Sequence, residues 1–191
     1  MSGSETRTHL LDAAEQVVRE HGIDGFSYAD LSRDVGIRKA SIHYHFPAKA
    51  DLLVALMARY RERVMDELDR ITAASTTPAR AIRGFLDLYR EALSEGSSLC
   101  LCVAYAINTN RLDQRVLSEI RQFRDEAMSW LEERFSAGAQ DGSVPSVLDK
   151  QQEAAAALAL AEGGQIAARL QGQLVFYDKA VEVLYRRLSP G

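Results

Sequence analysis

Residues 27–46 read SYADLSRDVGIRKASIHYHF, and the fold follows from how this stretch is punctuated. Ser27 with Asp30 three positions on is a capping-box arrangement, Asp standing where Glu is usual. Tyr28, Leu31 and Val35 then recur at helical spacing until Gly36 stops the helix. A second short helix runs from Lys39 to His45 and is closed by Phe46 and Pro47. Two short helices about a glycine turn have the lengths of a helix-turn-helix, whose second helix enters the major groove of DNA.

The helical period continues on both sides of this stretch. Toward the N-terminus, Leu10, Ala14, Val17, Val18 and His21 share one face of a helix that begins after Thr6 and stops at Gly22. Toward the C-terminus, Pro47 fits the first turn of a long helix over about Ala48 to Ala74. Thr77 caps the next helix, with Pro78 at its first position and Ile82, Phe85, Leu86, Tyr89 and Leu93 facing inward. Gly96, Ser97 and Ser98 break the pattern. Leu99 to Ile107 is a continuous apolar run that periodicity alone leaves open between buried helix and buried strand. It reads as helix because no second strand exists to pair with it. Val116, Ile120, Phe123, Ala127, Leu131 and Phe135 mark a helix ending near Gly138, and residues 138–148 read as loop. Asp149 with Gln152 caps an Ala-rich helix to about Gln171. The last helix, from about Gln173, is apolar on two flanks: Leu174, Tyr177, Val181, Leu184 and Leu188 on one, Val175, Phe176, Ala180 and Val183 on the other. The expectation is an all-α chain of about nine helices, without repeats.

At 191 residues, 47% hydrophobic and 26% charged, the composition is that of a globular protein. No apolar run approaches the roughly 20 residues that span a bilayer, and the start lacks a signal region. A soluble, cytoplasmic protein is expected. The net charge of −4 excludes a globally basic nucleic-acid coat. Locally the balance reverses: from Leu31 to Ala50 the bases Arg33, Arg38, Lys39 and Lys49 face one acid, Asp34. Ser41, His43 and Tyr44 add side chains able to reach base edges or phosphates. The plain alternative is a polar, solvated short helix.

The pattern Arg7-x-x-Leu10-Leu11-x-Ala13-Ala14, Gly22-x-x-x-Phe26-Ser27, Asp30-Leu31, Gly36-Ile37 and Ile42-x-Tyr44-His45-Phe46-Pro47-x-Lys49-x-x-Leu52 resembles the TetR family of transcriptional regulators. The resemblance is detailed over about residues 7–56 and architectural beyond. It implies a DNA-binding domain over 1–50 and a ligand-binding and dimerisation domain over 51–191. It also implies a homodimer held by the last two helices, acting as a repressor released by a small molecule. Carried over by position, residues 38–44 form the recognition helix, and Tyr44 or His43, with Lys49, contacts phosphate. Ser27, Arg38, Lys39, Ser41, His43, Tyr44, His45 and Lys49 make up the expected DNA-binding set. Two departures stand out. Arg38 occupies a position that is often Ser or Thr, which puts the helix cap in doubt, and His43 one that is often Tyr.

The body is harder to read. Tyr89, Cys102, Tyr105, Phe123, Trp130 and Gln165 form the expected effector site, against the simpler reading that they are core. Few fixed charges among them favour an apolar or aromatic effector. Glu162 and Arg169 interrupt an Ala/Leu helix, and a buried carboxylate needs a partner. Gly163 and Gly164 cost helix propensity and suggest close helix approach; with Val181 and Leu184 they form the expected dimer interface.

Cys100 and Cys102 diverge by about 200 degrees on a helix and cannot bridge each other without unwinding it. They act as small hydrophobes unless cations stabilise a thiolate, and the nearest arginines in sequence, Arg90 and Arg111, are not placed for that. A thiol sensor of redox state or electrophiles stays open as an alternative, as does a body that docks a protein partner. An enzyme is not expected. All four histidines lie in the first 45 residues, away from both cysteines, and no phosphate loop or metal-ligand spacing is present. His43 and His45 are too nearly opposed on a helix to share a metal, and no cofactor is expected.

Overall fold

The computed structural model describes residues 3–106 and 112–188. Among the described residues there are nine α-helices and no strand: α1 (Gly3–His21), α2 (Tyr28–Val35), α3 (Lys39–His45), α4 (Lys49–Ala74), α5 (Pro78–Glu91), α6 (Leu101–Ala106), α7 (Gln114–Asp141), α8 (Lys150–Gln171) and α9 (Val175–Tyr185). Ile107 and Arg111 lie outside the described residues.

The caps read from the sequence are present. The Ser27 hydroxyl accepts from the Asp30 N–H while the Asp30 carboxylate accepts from the Ser27 N–H, closing the box reciprocally. Gly36 ends α2 at φ 72°, a left-handed conformation that costs a glycine nothing. Thr77 caps α5 with Pro78 at its start, and the Asp149 carboxylate accepts from the N–H groups of Gln151 and Gln152 at the start of α8.

Four boundaries differ from the reading. The first helix starts at Gly3 rather than after Thr6, with Glu5 in the first turn where a carboxylate suits the helix dipole. Pro47 stands before α4 rather than in its first turn. Ala48 retains an N–H there and gives it to the Asp51 carboxylate at 2.9 Å. In the apolar run, α6 begins at Leu101 rather than Leu99. Gly138 does not end α7: a Cβ there would meet Val144 at 2.5 Å, so the glycine is needed for a close approach within a continuing helix.

Of the described residues, those within Met1–Glu62 and Leu101–Gln122 form one compact unit, and those within Arg63–Cys100 and Phe123–Gly191 form another. The helices α4 and α7 each contribute residues to both. The division differs from a break at residue 50, since the first unit also takes in α6 and the start of α7. Its core gathers Leu10, Leu11, Ala14 and Val18 of α1 with Leu31, Ile42, Phe46, Leu52 and Leu56. In the second unit, α8 and α9 pack closely along their lengths, with Ala157, Ala161 and Ala168 buried beside Tyr177 and Val181.

Candidate nucleic-acid interface

The α2–α3 segment is held rigidly from behind. Ile42 and Phe46 are buried, and the Tyr28 hydroxyl donates to the Phe46 carbonyl at 3.0 Å. Burial, with the Asp51 charge second, pushes the Tyr28 hydroxyl up to about 12, so it stays a donor. The Ser32 hydroxyl donates to the Ile37 carbonyl and fixes the turn between the helices. The Arg7 guanidinium lies 5.3 Å from the Phe46 ring centroid.

With Ile42 turned inward, the rest of α3 faces out. Arg38, Lys39, Ala40, His43 and Tyr44 are exposed, while Ser41 and His45 are half-buried. Tyr44, at 83% exposure, is the most exposed aromatic ring among the large hydrophobics of the described residues. Arg38 occupies the N-cap of α3 and its side chain makes no capping bond, so its charge is not spent on the helix. His43 lies edge-on to Tyr28, with ring centroids 5.0 Å apart, and its Nδ1 is 3.3 Å from the Pro47 carbonyl oxygen. A carbonyl only accepts, so in this contact Nδ1 carries the proton, which leaves Nε2 as the acceptor of the neutral ring. His45 packs edge-on to Tyr44 and beside Phe46.

Two expected contacts are more committed than the sequence suggested. The Ser27 hydroxyl is engaged in the capping box. The Lys49 ammonium donates to the Phe26 carbonyl at 2.8 Å and lies 4.2 Å from the Phe26 ring centroid. Its burial lowers its pKa below the ordinary lysine value. Two N–H donors of the ammonium remain for another partner.

The six residues expected around an effector divide between the units. Cys102 and Tyr105 belong to the first; Tyr89, Phe123, Trp130 and Gln165 belong to the second. All six are buried. Tyr105 donates its hydroxyl to the Leu53 carbonyl at 3.2 Å. Trp130 Nε1 donates to the Thr72 hydroxyl at 3.1 Å, and its ring stacks on Phe85 at 6.0 Å. Gln165 is fully buried with both ends of its amide engaged: Oε1 accepts from the Cys100 N–H at 2.9 Å, and Nε2 donates to the Tyr89 carbonyl at 2.6 Å. Glu162 finds its partner in Arg124 of α7, while Arg169 donates to the Gly96 carbonyl at 3.1 Å. Cys100 and Cys102 are both buried thiols.

The expected dimer residues also divide. Val181 and Leu184 are 0% and 4% exposed and are buried within the single chain. Gly164 likewise serves the chain itself: a Cβ there would lie 3.0 Å from Tyr177 and 3.3 Å from Ala180 of α9. Gly163 has open space above it. The apolar side chains that α8 and α9 leave exposed are Ile166, Leu170, Val175 and Val183, which the sequence reading did not select. For Val175 and Val183 the signal was the second flank of α9, one helical face away from the stripe that packs inward.

Among the described residues, no group of three or more His, Cys, Asp or Glu is placed to hold a metal ion, and no helix is long and apolar enough to cross a membrane.

Comparison with known proteins agrees with this geometry. Residues 10–56 match the family model of bacterial regulatory proteins, tetR family. The transcriptional repressor KstR2 of Rhodococcus jostii is 25% identical over 149 residues, covering 76% of this chain and 71% of that one. The transcriptional regulator LmrA of Bacillus subtilis is 29% identical over 87 residues, 45% of this chain and 46% of its own length. The chain thus spans about half the length of that relative. A TetR-family regulator from Agrobacterium tumefaciens has the same fold, with a TM-score of 0.93 at 24% identity, covering 98% of this chain and all of that one.

Proposed function

The chain is a member of the TetR family of DNA-binding transcriptional regulators, and from that premise we propose that it is a homodimeric repressor released from a palindromic operator by a small apolar or aromatic effector. The observation that carries the reading is α3: one side is anchored through Ile42, and the other offers Arg38, Lys39, Ser41, His43 and Tyr44 outward. Arg38, Lys39 and Ser41 read base edges; Tyr44 and His43 hold phosphates. Lys49 gives its remaining N–H donors to the backbone. Ser27 and His45 serve the shape of the motif first and touch DNA only at its edge. Residues 1–50 act as the DNA-binding domain, and the rest binds the effector and the second subunit.

Repression is supported by the name of the Rhodococcus relative. Dimerisation is supported by the apolar side chains left on α8 and α9, in a two-fold arrangement where the same patch meets itself. Such a dimer matches a near-palindrome with half-sites about one DNA turn, or a multiple of it, apart. The effector reading rests on the aromatic set Tyr89, Phe123 and Trp130 of the second unit. The ligand must bind the DNA-incompetent state more tightly for release to follow.

The test has two stages. The purified chain is used to select duplexes from a random library, and the enriched sequence is footprinted. A panel of apolar and aromatic compounds is then titrated while Trp130 fluorescence and duplex binding are followed together. Enrichment of a palindrome, and a compound that alters both signals, supports the reading. A compound that saturates the fluorescence change without weakening the duplex complex overturns the effector mechanism.

A further inference from the structure

Two helix N-termini in the first unit are joined by one guanidinium. At the start of α4, one Asp51 carboxylate oxygen accepts from the Ala48 N–H at 2.9 Å, so it holds the first turn closed. At the start of α7, Asp113 is the capping residue: its carboxylate accepts from the Arg115 N–H at 2.8 Å and its carbonyl from the Leu117 N–H at 3.1 Å. Arg115 then reaches both carboxylates. Its Nη1 donates to the other oxygen of Asp51 at 2.7 Å, and its Nε and Nη2 donate to the Asp113 carboxylate at 3.2 and 3.1 Å. The planar fork of arginine suits this task; a single ammonium cannot span two carboxylates in this way.

The turn so held carries DNA-facing chemistry. Lys49 lies two residues before Asp51, and the last residues of α3 lie a few positions further back. Lys49 ties one side of this turn to Phe26, and Asp51 ties it to α7. The carboxyls of Asp51 and Asp113 both fall below the ordinary carboxylate range, Arg115 being the first cause for each.

We propose that Arg115 is a positioning residue for DNA binding: by bridging the capping carboxylates of α4 and α7 it sets the first turn of α4, and hence the phosphate-facing turn, without touching DNA. The proposal rests on DNA binding by the α2–α3 motif, and wild-type binding to a selected duplex reads that function by itself.

Simple electrostatics and positioning give opposite signs at Asp51. Asp51→Asn removes a negative charge near the DNA and keeps an oxygen for the Ala48 N–H. By charge alone it tightens binding; by positioning it weakens it. Duplex affinity is measured as a function of salt for the wild type, Arg115→Gln, Asp51→Asn and the double variant, with helix content checked by circular dichroism. Each single substitution is expected to weaken binding about threefold to fivefold per bound head, the upper part of the range for an exposed ion pair. The double variant is expected to be no weaker than either single one, with the salt slope unchanged throughout. Arg115→Lys is expected to recover little, because it keeps the charge and loses the fork. Tighter binding by Asp51→Asn, a double variant that returns to wild-type affinity, or a salt slope lowered by about 1 in Arg115→Gln would each overturn the proposal.

Discussion

Replacing Gln165 with Leu should remove a large part of the stability of the second unit, although the two side chains are close in size. The amide bonds two main-chain groups at once. The Tyr89 carbonyl lies in the last turn of α5, and the Cys100 N–H precedes α6 by one residue. Leu removes both of these buried hydrogen bonds, at about 2 kcal/mol each. Its more apolar side chain returns about 1 kcal/mol. The expected net loss is therefore about 3 kcal/mol, or roughly 6–12 °C in Tm for a chain of this size. Urea unfolding followed by circular dichroism measures it, with an unchanged slope confirming that stability alone has altered. Gln165→Glu sharpens the test. At neutral pH its carboxylate faces the Tyr89 carbonyl, so the variant is less stable than Leu. Burial raises its folded pKa, so stability returns as pH falls and the protonated oxygen donates again. A loss under about 1 kcal/mol for Gln165→Leu would refute the reasoning, since it would mean that both groups find other partners.

Three further outcomes follow from the geometry. A charge at an exposed α8–α9 position, Ile166→Glu or Val183→Glu, should shift sedimentation toward monomer with the fold retained, whereas Val181→Glu should lose helix content; a double Ile166→Glu, Val183→Glu variant that stays dimeric would rule out this face. The His43 ring is held by its Nδ1 contact with the Pro47 carbonyl, so His43→Ala should weaken duplex binding about threefold to tenfold with helix content unchanged, as read by titration of a selected duplex. The Asp30 carboxyl is held low, first by the Ser27 hydroxyl and then by the Ser27 N–H, so its contribution is present above about pH 4 and lost as pH falls further; Asp30→Asn should make acid unfolding less steep.

The head was legible because its information is local. Ser27 and Asp30 form their box three residues apart, and Gly36 takes a left-handed turn that the residue type itself announces. The burial of Ile42 follows from spacing alone. What spacing could not give was the partner of each polar side chain. Lys49 reads as a free cation in sequence, yet it serves Phe26, 23 residues away. Tyr28 reads as an apolar position, yet its hydroxyl supports Phe46. The body lost more. Val181 and Val183 are equally apolar, and only packing shows that one is interior while the other is 59% exposed. Glu162 reads as a buried carboxylate in need of a partner, but nothing local names Arg124; Gln165 reads as part of an effector site, and its bonds to main-chain groups 76 and 65 residues away are not written in any local pattern.

The first unit is discontinuous along the chain, and this bears on how it can be cut, grafted and made. A fragment ending at residue 62 contains the whole DNA-facing motif. It lacks the Tyr105 hydroxyl on the Leu53 carbonyl, the Glu119 carboxylate beside Arg61, and Arg115 on Asp51. Chimeras that exchange heads at residue 50 or 62 therefore leave α4 facing strangers, and a faithful transplant must carry residues 101–122 as well. The ribosome meets the same constraint. The first 62 residues emerge as a set of helices with an open side, and they can close into the finished unit only after the intervening segment, which belongs to the other unit, has also been synthesised.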